Sequence, residues 1–237
     1  MLKTLKYDNN ISFLMKTLCL IPARYNSKRL PFKNFLKINN KFLFERTFSL
    51  ALKIKEFDEI VFSSDYNKIS KLKKKYPKIF FQKRPKKISN VRTKISEVIS
   101  YTLKEFKTIG KKFDAVVILQ PTSPLRKKKT VEEAIKIFKK CKPDYLASIT
   151  KLKHTINPKK IFKLPNKKFI KRINFNLGKN ELNDEFYGLD GGVVFIFKTS
   201  NKKYKLNGKG AFIKVKFPEN IDIDYKEDFL LVKKFLK

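Results

Sequence analysis

From residue 17 onward, short apolar runs alternate with longer segments whose hydrophobic positions recur at helical spacing, and no repeat or low-complexity linker interrupts them. Runs rich in β-branched or aromatic side chains predict strands at Thr17 to Ile21, Glu59 to Ser63, Ile79 to Gln82, Ala115 to Leu119 and Tyr145 to Ile149. Between them, Phe44 to Lys55 carries an apolar face through Phe44, Phe48, Ala51 and Leu52, and Ile95 to Phe106 and Val131 to Lys140 are periodic in the same way. Strands joined by helices predict an α/β fold with a mostly parallel sheet, whose right-handed crossovers put ligands beyond the carboxyl ends of the strands. Residues 150–187 break this rhythm. They are polar, rich in Lys and Asn, and punctuated by Pro158 and Pro165, so they read as an excursion or arm. Apolar strands resume at Gly192 to Phe197 and Ala211 to Phe217, followed by Ile221-Asp222-Ile223-Asp224 and a closing helix over Tyr225 to Leu236.

Composition narrows the class. A chain of 237 residues, 42% hydrophobic and 14% aromatic, buries a full core, and two cysteines exclude a disulfide scaffold. Charge is the unusual feature: 57 basic against 21 acidic residues give a formal +36. Of the basic residues seven are Arg and fifty are Lys, spread along nearly every segment with no dominant basic tail. Specific phosphate recognition favours Arg forks, so the dispersed lysines read as solvated faces that attract any anionic substrate. A basic RNA-binding protein is the alternative from a different class. Cys19 and Cys141 need no pairing and fit a reducing cytoplasm. His154, the only histidine, has no acid or nucleophile beside it in the sequence and reads as a surface residue. Residues 1–20 carry Lys3, Lys6, Asp8 and Lys16 and no long apolar run, so neither a signal peptide nor a membrane span is expected. Residues 1–14 read as an extension ahead of a domain over 15–237, with a short ordered arm as the rival.

Three segments carry candidate chemistry. The first strand leads into Pro22-Ala23-Arg24-Tyr25-Asn26-Ser27-Lys28-Arg29-Leu30-Pro31-Phe32-Lys33-Asn34, which holds four cations in a loop suited to a polyphosphate. No Gly-Lys-Ser/Thr stands in it, so it is not a Walker loop, and a basic solvated turn is the plain alternative. Asp222 and Asp224 are two apart, so on a strand both carboxylates face one side and share a hard cation. A charged edge strand or a helix cap is the other reading. Gln120 ends a strand before Pro121-Thr122-Ser123-Pro124, a restricted turn that fixes polar groups over a pocket.

In chain order, the loop over 22–34, Asp58-Glu59-Ile60-Val61-Phe62-Ser63-Ser64-Asp65, Arg84-Pro85, Leu119-Gln120-Pro121-Thr122-Ser123-Pro124-Leu125-Arg126 and Asp222-Ile223-Asp224 resemble the acylneuraminate (sialic acid) cytidylyltransferases. The five motifs span residues 17–236. The resemblance implies a three-layer Rossmann-like nucleotidyltransferase fold. It also implies a reaction in which the anomeric hydroxyl of an acidic 2-keto-3-deoxy sugar attacks the α-phosphorus of CTP and pyrophosphate leaves. Arg24 and Lys33 are then catalytic, and Arg24, Ser27, Lys28, Lys33, Asn34 and Arg84 bind the nucleotide. Gln120 binds the sugar, with Lys160 and Arg172 approaching its carboxylate, and Arg126 anchors the loop or the following helix. Asp222 and Asp224 hold Mg2+. A homodimer sharing its sites through residues 150–187 is implied too, with CTP and an acidic sugar as partners, no specific nucleic acid and no membrane.

The sequence departs from the family pattern in three places. The common Gly-Gly-Ser of the first loop is Tyr25-Asn26-Ser27, where Asn26 tolerates the left-handed backbone. The acidic, small-hydroxyl stretch after Arg84-Pro85 is Lys86 to Lys94 without an Asp, leaving Arg92, Thr93 or Lys94 to meet phosphate or substrate. Asp190-Gly191-Gly192 stands where relatives carry Asn-Gly-Ala, so the acceptor sugar is open. Pseudaminic and legionaminic acid cytidylyltransferases, CMP-Kdo synthetase, which Arg24-Tyr25 and Arg29-Leu30-Pro31 also resemble, and a GTP-using relative are the enzymatic alternatives.

Overall fold

The computed structural model describes residues 15–152, 162–163, 171–172, 186–190, 192–201 and 203–236. The first strand, β1 (Thr17–Pro22), is followed by a two-stranded ribbon, β2 (Lys37–Ile38) and β3 (Lys41–Phe42), and by α1 (Leu43–Ala51). Then come β4 (Glu59–Ser64), α2 (Ile69–Lys75), β5 (Phe80–Lys83), α3 (Ile95–Thr108), β6 (Ala115–Ile118), α4 (Lys128–Cys141) and β7 (Tyr145–Lys151). A short antiparallel pair, β8 (Phe162–Lys163) and β9 (Lys171–Arg172), lies within the polar excursion. The chain closes with β10 (Tyr187–Leu189), β11 (Phe195–Lys198), β12 (Gly210–Lys214) and α5 (Lys226–Phe235).

β1 sits in the middle of the sheet, parallel to β4 on one side and to β6 on the other, and β5 extends the β4 side in parallel. Beyond β6 the sheet turns mixed. β11 runs antiparallel to both β6 and β7, β10 antiparallel to β7, and β12 parallel to β7. The antiparallel strands are the part that strand–helix alternation did not anticipate, because a return strand carries the same apolar signal in either direction.

The period of two along β1 builds the layers. Leu18 and Leu20 point to the side where Val98, Ile99 and Phe106 of α3 pack, while Cys19 and Ile21 point to the side of Phe44 and Phe48 of α1 and Val131, Ile135 and Phe138 of α4. Helices on both faces of a central sheet make the expected three-layer architecture. Cys19 is fully buried in this core, and burial pushes its thiol far above the ordinary range, so it packs as a small apolar group. Cys141 is exposed and free. Among the described residues no helix is long and apolar enough to cross a membrane. Residues 1–14, His154 and Lys160 lie outside the described residues, as does most of the expected arm.

Several boundaries moved for local reasons. α1 stops at Ala51, four residues before the apolar face predicts, because the chain bends into a turn that carries Ile54 back under the core. Its other end is fixed by Glu45, whose carboxylate accepts the Phe42 N–H at 3.0 Å. Ile221 to Asp224 is irregular and pairs with no strand. Ile221 and Ile223 are buried in a third, smaller cluster with Ile38, Leu43 and Val232, and the Ile223 N–H donates to the Thr122 carbonyl at 2.8 Å. The alternation the motif requires therefore survives without a ladder.

Candidate active site

A cleft of about 260 Å³ opens beyond the carboxyl ends of β1, β5 and β6. Of these, β1 and β6 flank the point where the chain's crossovers switch direction across the sheet, the place where open α/β sheets bind ligands. Its walls include Pro22, Arg24, Lys33 and Asn34 from the β1 loop, Arg84 after β5, Asn90, Val91 and Thr93 ahead of α3, and Gln120 and Thr122 after β6. Six of the residues the sequence nominates, Arg24, Lys33, Asn34, Arg84, Thr93 and Gln120, thus meet in one place although nearly a hundred positions separate the first from the last.

The β1 loop is held by its own polar and aromatic contacts. Asn34 Nδ2 donates to the Arg24 carbonyl at 3.0 Å, and Arg24 Nη1 reaches across the cleft to the Asn90 carbonyl at 3.2 Å. The Tyr25 N–H donates to Asp65 Oδ1 at 2.6 Å, so it is committed within the protein and is not free for phosphate. Tyr25 stacks on Tyr66 at 5.0 Å and touches Phe32 and Phe35 at 4.8 and 5.1 Å, so aromatic packing shapes the loop. Asn26 tolerates the left-handed backbone but does not adopt it. The left-handed residue is Phe32, at φ 55°. Ser27 is buried with its hydroxyl unpartnered, and Lys28 is exposed at the rim rather than in the cleft wall.

Arg84 is buried as well as wall-forming. Its Nη2 donates to the Ser63 carbonyl at 2.7 Å and its Nε to Ser63 Oγ at 3.3 Å, which braces the end of β4. Burial lowers its pKa to about 10, with Asp65 opposing that fall and Arg24 adding to it, so the guanidinium stays charged at neutral pH. Of the three candidates after Pro85, only Thr93 lines the cleft, and its Oγ1 is buried without a partner. Arg92 and Lys94 are exposed. Lys94 is the N-cap residue of α3.

Gln120 lines the cleft with its amide packed on Gly192. A Cβ built at Gly192, whose φ is +128°, would stand 2.6 Å from Gln120 Nε2, so only glycine admits the amide there. Arg126 lies behind this pair, buried, and donates to the carbonyls of Gln120 at 2.8 Å, Gly192 at 3.1 Å and Val193. It anchors the loop, as its place in the motif implies. Asp190 Oδ1 accepts from Ser148 Oγ at 2.8 Å and from the N–H groups of Gly192 and Val193, which fixes the turn carrying Gly192.

Asp224 meets the β1 loop directly, and Asp222 meets the turn after β6. Lys33 Nζ lies 2.8 Å from Asp224 Oδ1 and Arg29 Nη1 2.8 Å from Asp224 Oδ2, while Ser123 Oγ donates to Asp222 Oδ1 at 3.2 Å. Burial raises the Asp222 pKa and nearby Asp224 adds to the rise. Thr122, Lys33 and Ser123 oppose it, although the Thr122 hydroxyl makes no hydrogen bond of full geometry. Asp224 is not the cap of the last helix. Tyr225 takes that position, and Asp228 Oδ2 accepts the N–H groups of Asp224 and Tyr225 at 3.0 and 2.8 Å. Among the described residues no group of three or more His, Cys, Asp or Glu gathers to hold a metal. Arg172 lies on β9, and Lys160 lies outside the described residues.

The cytidylyltransferase family model matches residues 18–185. The chain belongs to the cytidylyltransferase family. This cytidylyltransferase is 26% identical over 238 residues to CMP-N,N'-diacetyllegionaminic acid synthase of Legionella pneumophila, covering 94% of this chain and 97% of that one. It is 31% identical over 142 residues to pseudaminic acid cytidylyltransferase of Campylobacter jejuni, covering 60% and 61%. It is also 26% identical over 224 residues to N-acylneuraminate cytidylyltransferase of Escherichia coli, covering 91% of this chain and 51% of that one. Among solved structures, CMP:2-keto-3-deoxy-manno-octonic acid synthetase complexed with CTP superposes with a TM-score of 0.67 at 13% identity, over 93% of this chain and 98% of that one. At that identity the likeness speaks to the nucleotidyltransferase fold. Sequence reasoning missed Asn90 and Val91, which no motif marked, and gave no role to Arg29, although it stood in the first loop motif. Thr122 was in view as part of the Pro-Thr-Ser-Pro turn but had been given no role.

Proposed function

We propose that this cytidylyltransferase joins CMP from CTP to an acidic 2-keto-3-deoxy sugar, a sialic acid or related nonulosonic acid, with release of pyrophosphate. The observation that carries this reading is the contact of Lys33 and Arg29 with Asp224 beside a cleft walled by Arg24, Arg84 and Gln120. It joins a polyphosphate-gripping loop to a paired carboxylate. The legionaminic and pseudaminic acid enzymes among the relatives favour nonulosonic acids as the first acceptors to try.

In this reading Arg24, Lys28 and Lys33 neutralise the triphosphate, carried on a loop that the packing of Tyr25 against Phe32, Phe35 and Tyr66 shapes. Arg24 and Lys33 act on the charge that develops as pyrophosphate departs. Arg84 and Thr93 face the nucleotide from the β5 side, with Thr93 supplying a hydroxyl that has no partner within the protein. Ser27 and Asn34 shape the loop around phosphate or ribose. Gln120, pinned by Gly192 and Arg126, orients the acceptor sugar so that its hydroxyl lies in line with the α-phosphorus. Lys160 and Arg172 are assigned to the sugar carboxylate.

Asp222 and Asp224 suit Mg2+ in donor chemistry. Both are carboxylates that alternate with the buried Ile221 and Ile223, and burial works against an unpaired charge on Asp222. With two protein carboxylates, the remaining ligands fall to phosphate oxygens and water. When bound, the ion supplies charge stabilisation to the phosphoryl oxygens. A homodimer meeting through residues 150–187 and a cytoplasmic setting belong to the same reading.

Incubating the protein with each nucleoside triphosphate, Mg2+ and a panel of acidic sugars, Kdo included, tests it directly. The expected result is CTP-dependent pyrophosphate release, a CMP-nonulosonic acid identified by mass, and loss of both with Asp222→Ala. Salt-sensitive RNA binding without turnover of any nucleotide would overturn it.

A further inference from the structure

Arg29 stands in the β1 loop between Lys28 and Lys33, outside the cleft wall, and the reading above gives it no task. Its Nη1 lies 2.8 Å from Asp224 Oδ2, and the guanidinium sits over the Tyr225 ring, 5.7 Å from its centre. Lys33 Nζ takes the other oxygen, Oδ1, at 2.8 Å and also donates to the Ile223 carbonyl at 3.1 Å. Each oxygen of Asp224 therefore has its own cation. A divalent ion approaching that carboxylate would meet two positive charges already at bonding distance, and the repulsion is strongest on the Lys33 side, where the lysine side chain is only 16% exposed. The loop that delivers Lys33 is also not relaxed. Phe32, immediately before it, is held at φ 55°, a conformation uphill for any residue with a Cβ.

From this arrangement we propose that Arg29 and Lys33 form a latch on Asp224 that competes with a divalent cation in the nucleotide-free protein, and that a nucleotide's triphosphate opens it by drawing both cations to its own oxygens. The proposal rests on reading Asp222 and Asp224 as the metal pair. While the latch is closed, its cations keep Asp224 from standing as an unpaired anion beside Asp222. Once it opens, the same two cations serve the phosphates and both carboxylates face the ion. Nucleotide and metal then bind with positive coupling, and by linkage each tightens the other. Arg29 is a positioning residue in this scheme, because it acts through Asp224.

Binding of Mn2+ to the full-length protein, followed by the electron paramagnetic resonance of the free ion, reads the latch without turnover. Without nucleotide, Arg29→Met is expected to bind Mn2+ about fivefold more tightly than wild type, the scale of one half-exposed ion pair, and Arg29→Lys to stay near wild type. Saturating CTP without acceptor sugar is expected to close the gap, since the latch is then open in every form. Arg29 is 55% exposed, so its loss leaves the core intact, and Arg29→Gln repeats the measurement with a second side chain. An unchanged Mn2+ affinity in both variants, or a gap that CTP does not narrow, overturns the latch. Asp222→Asn separates this failure from that of the metal reading. If it leaves Mn2+ binding in the CTP complex intact, the metal reading falls and the latch falls with it. If it weakens that binding while Arg29→Met changes nothing, the metal reading stands and the latch alone is wrong.

Discussion

Single residues show where function is bought with stability in this fold. Asp222 is half-buried beside Asp224, and its raised pKa means that ionisation works against the folded state: the stability this group contributes in acid is lost as pH rises through the folded pKa. Asp222→Asn keeps an acceptor for Ser123 Oγ and removes the charge, so its melting temperature at pH 7 is expected to rise by about 2 °C if the buried charge costs ~1 kcal/mol. Its CTP-dependent turnover is expected to fall at least tenfold, and differential scanning fluorimetry beside a pyrophosphate assay reads both. The wild-type acid limb of activity should lie above 3.8, the ordinary carboxylate value, because the carboxylate must be ionised to take a metal. Gly192→Ala makes a second residue-scale case. The new methyl would meet the Gln120 amide, and the positive φ adds strain of ~1 kcal/mol. The expected result is a raised KM for the acceptor sugar with the KM for CTP near wild type. Equal rises in both would count against Gln120 as a sugar contact.

At the level of elements, the joints that orient the helices are polar, and they are where pH acts. Glu45, near the start of α1, accepts from the Phe42 N–H at 3.0 Å, from Tyr76 Oη at 2.7 Å and from Lys75 Nζ at 2.7 Å, tying α1 to the end of α2. Burial pushes its pKa up, but Lys75, the Phe42 N–H and Tyr76 together outweigh that and leave it lowered. The stability is therefore present above the ordinary carboxylate pKa and is lost as pH falls through the lower folded value. Glu45→Ala is expected to cost about 1–3 kcal/mol at pH 7, with the gap to wild type shrinking in acid, as chemical denaturation across pH would show. The β6–α4 connection relies on a different joint. Arg126 satisfies three carbonyls from two distant segments, and it carries its charge into the core to do so.

The whole molecule acts through its charge and its topology. A formal +36 spread over the surface is expected to draw a triphosphate and a sugar acid toward the cleft, so the KM for CTP should rise steeply with ionic strength while kcat changes little. A kcat that fell in step would place the salt effect inside the site. The strands and helices were legible in the chain because apolar periodicity is local: β1, β4, β6, α3 and the two faces of the sheet follow from residues a few positions apart. So was the set of motif segments, since each loop's chemistry is written in consecutive residues. The strand β11 was legible but its antiparallel direction was not, because direction depends on where the chain returns rather than on what the strand contains, and β10 was not anticipated. Nor was the partnership of Arg29 with Asp224, 195 positions further on, where Ile221 and Ile223 are buried in a cluster that Leu30 and Leu36 also pack against, which brings Asp224 to the loop's cations. The sequence by itself determined which groups this protein has to work with. Which of them touch was decided by long-range packing of apolar side chains, whose pairings a linear pattern does not record.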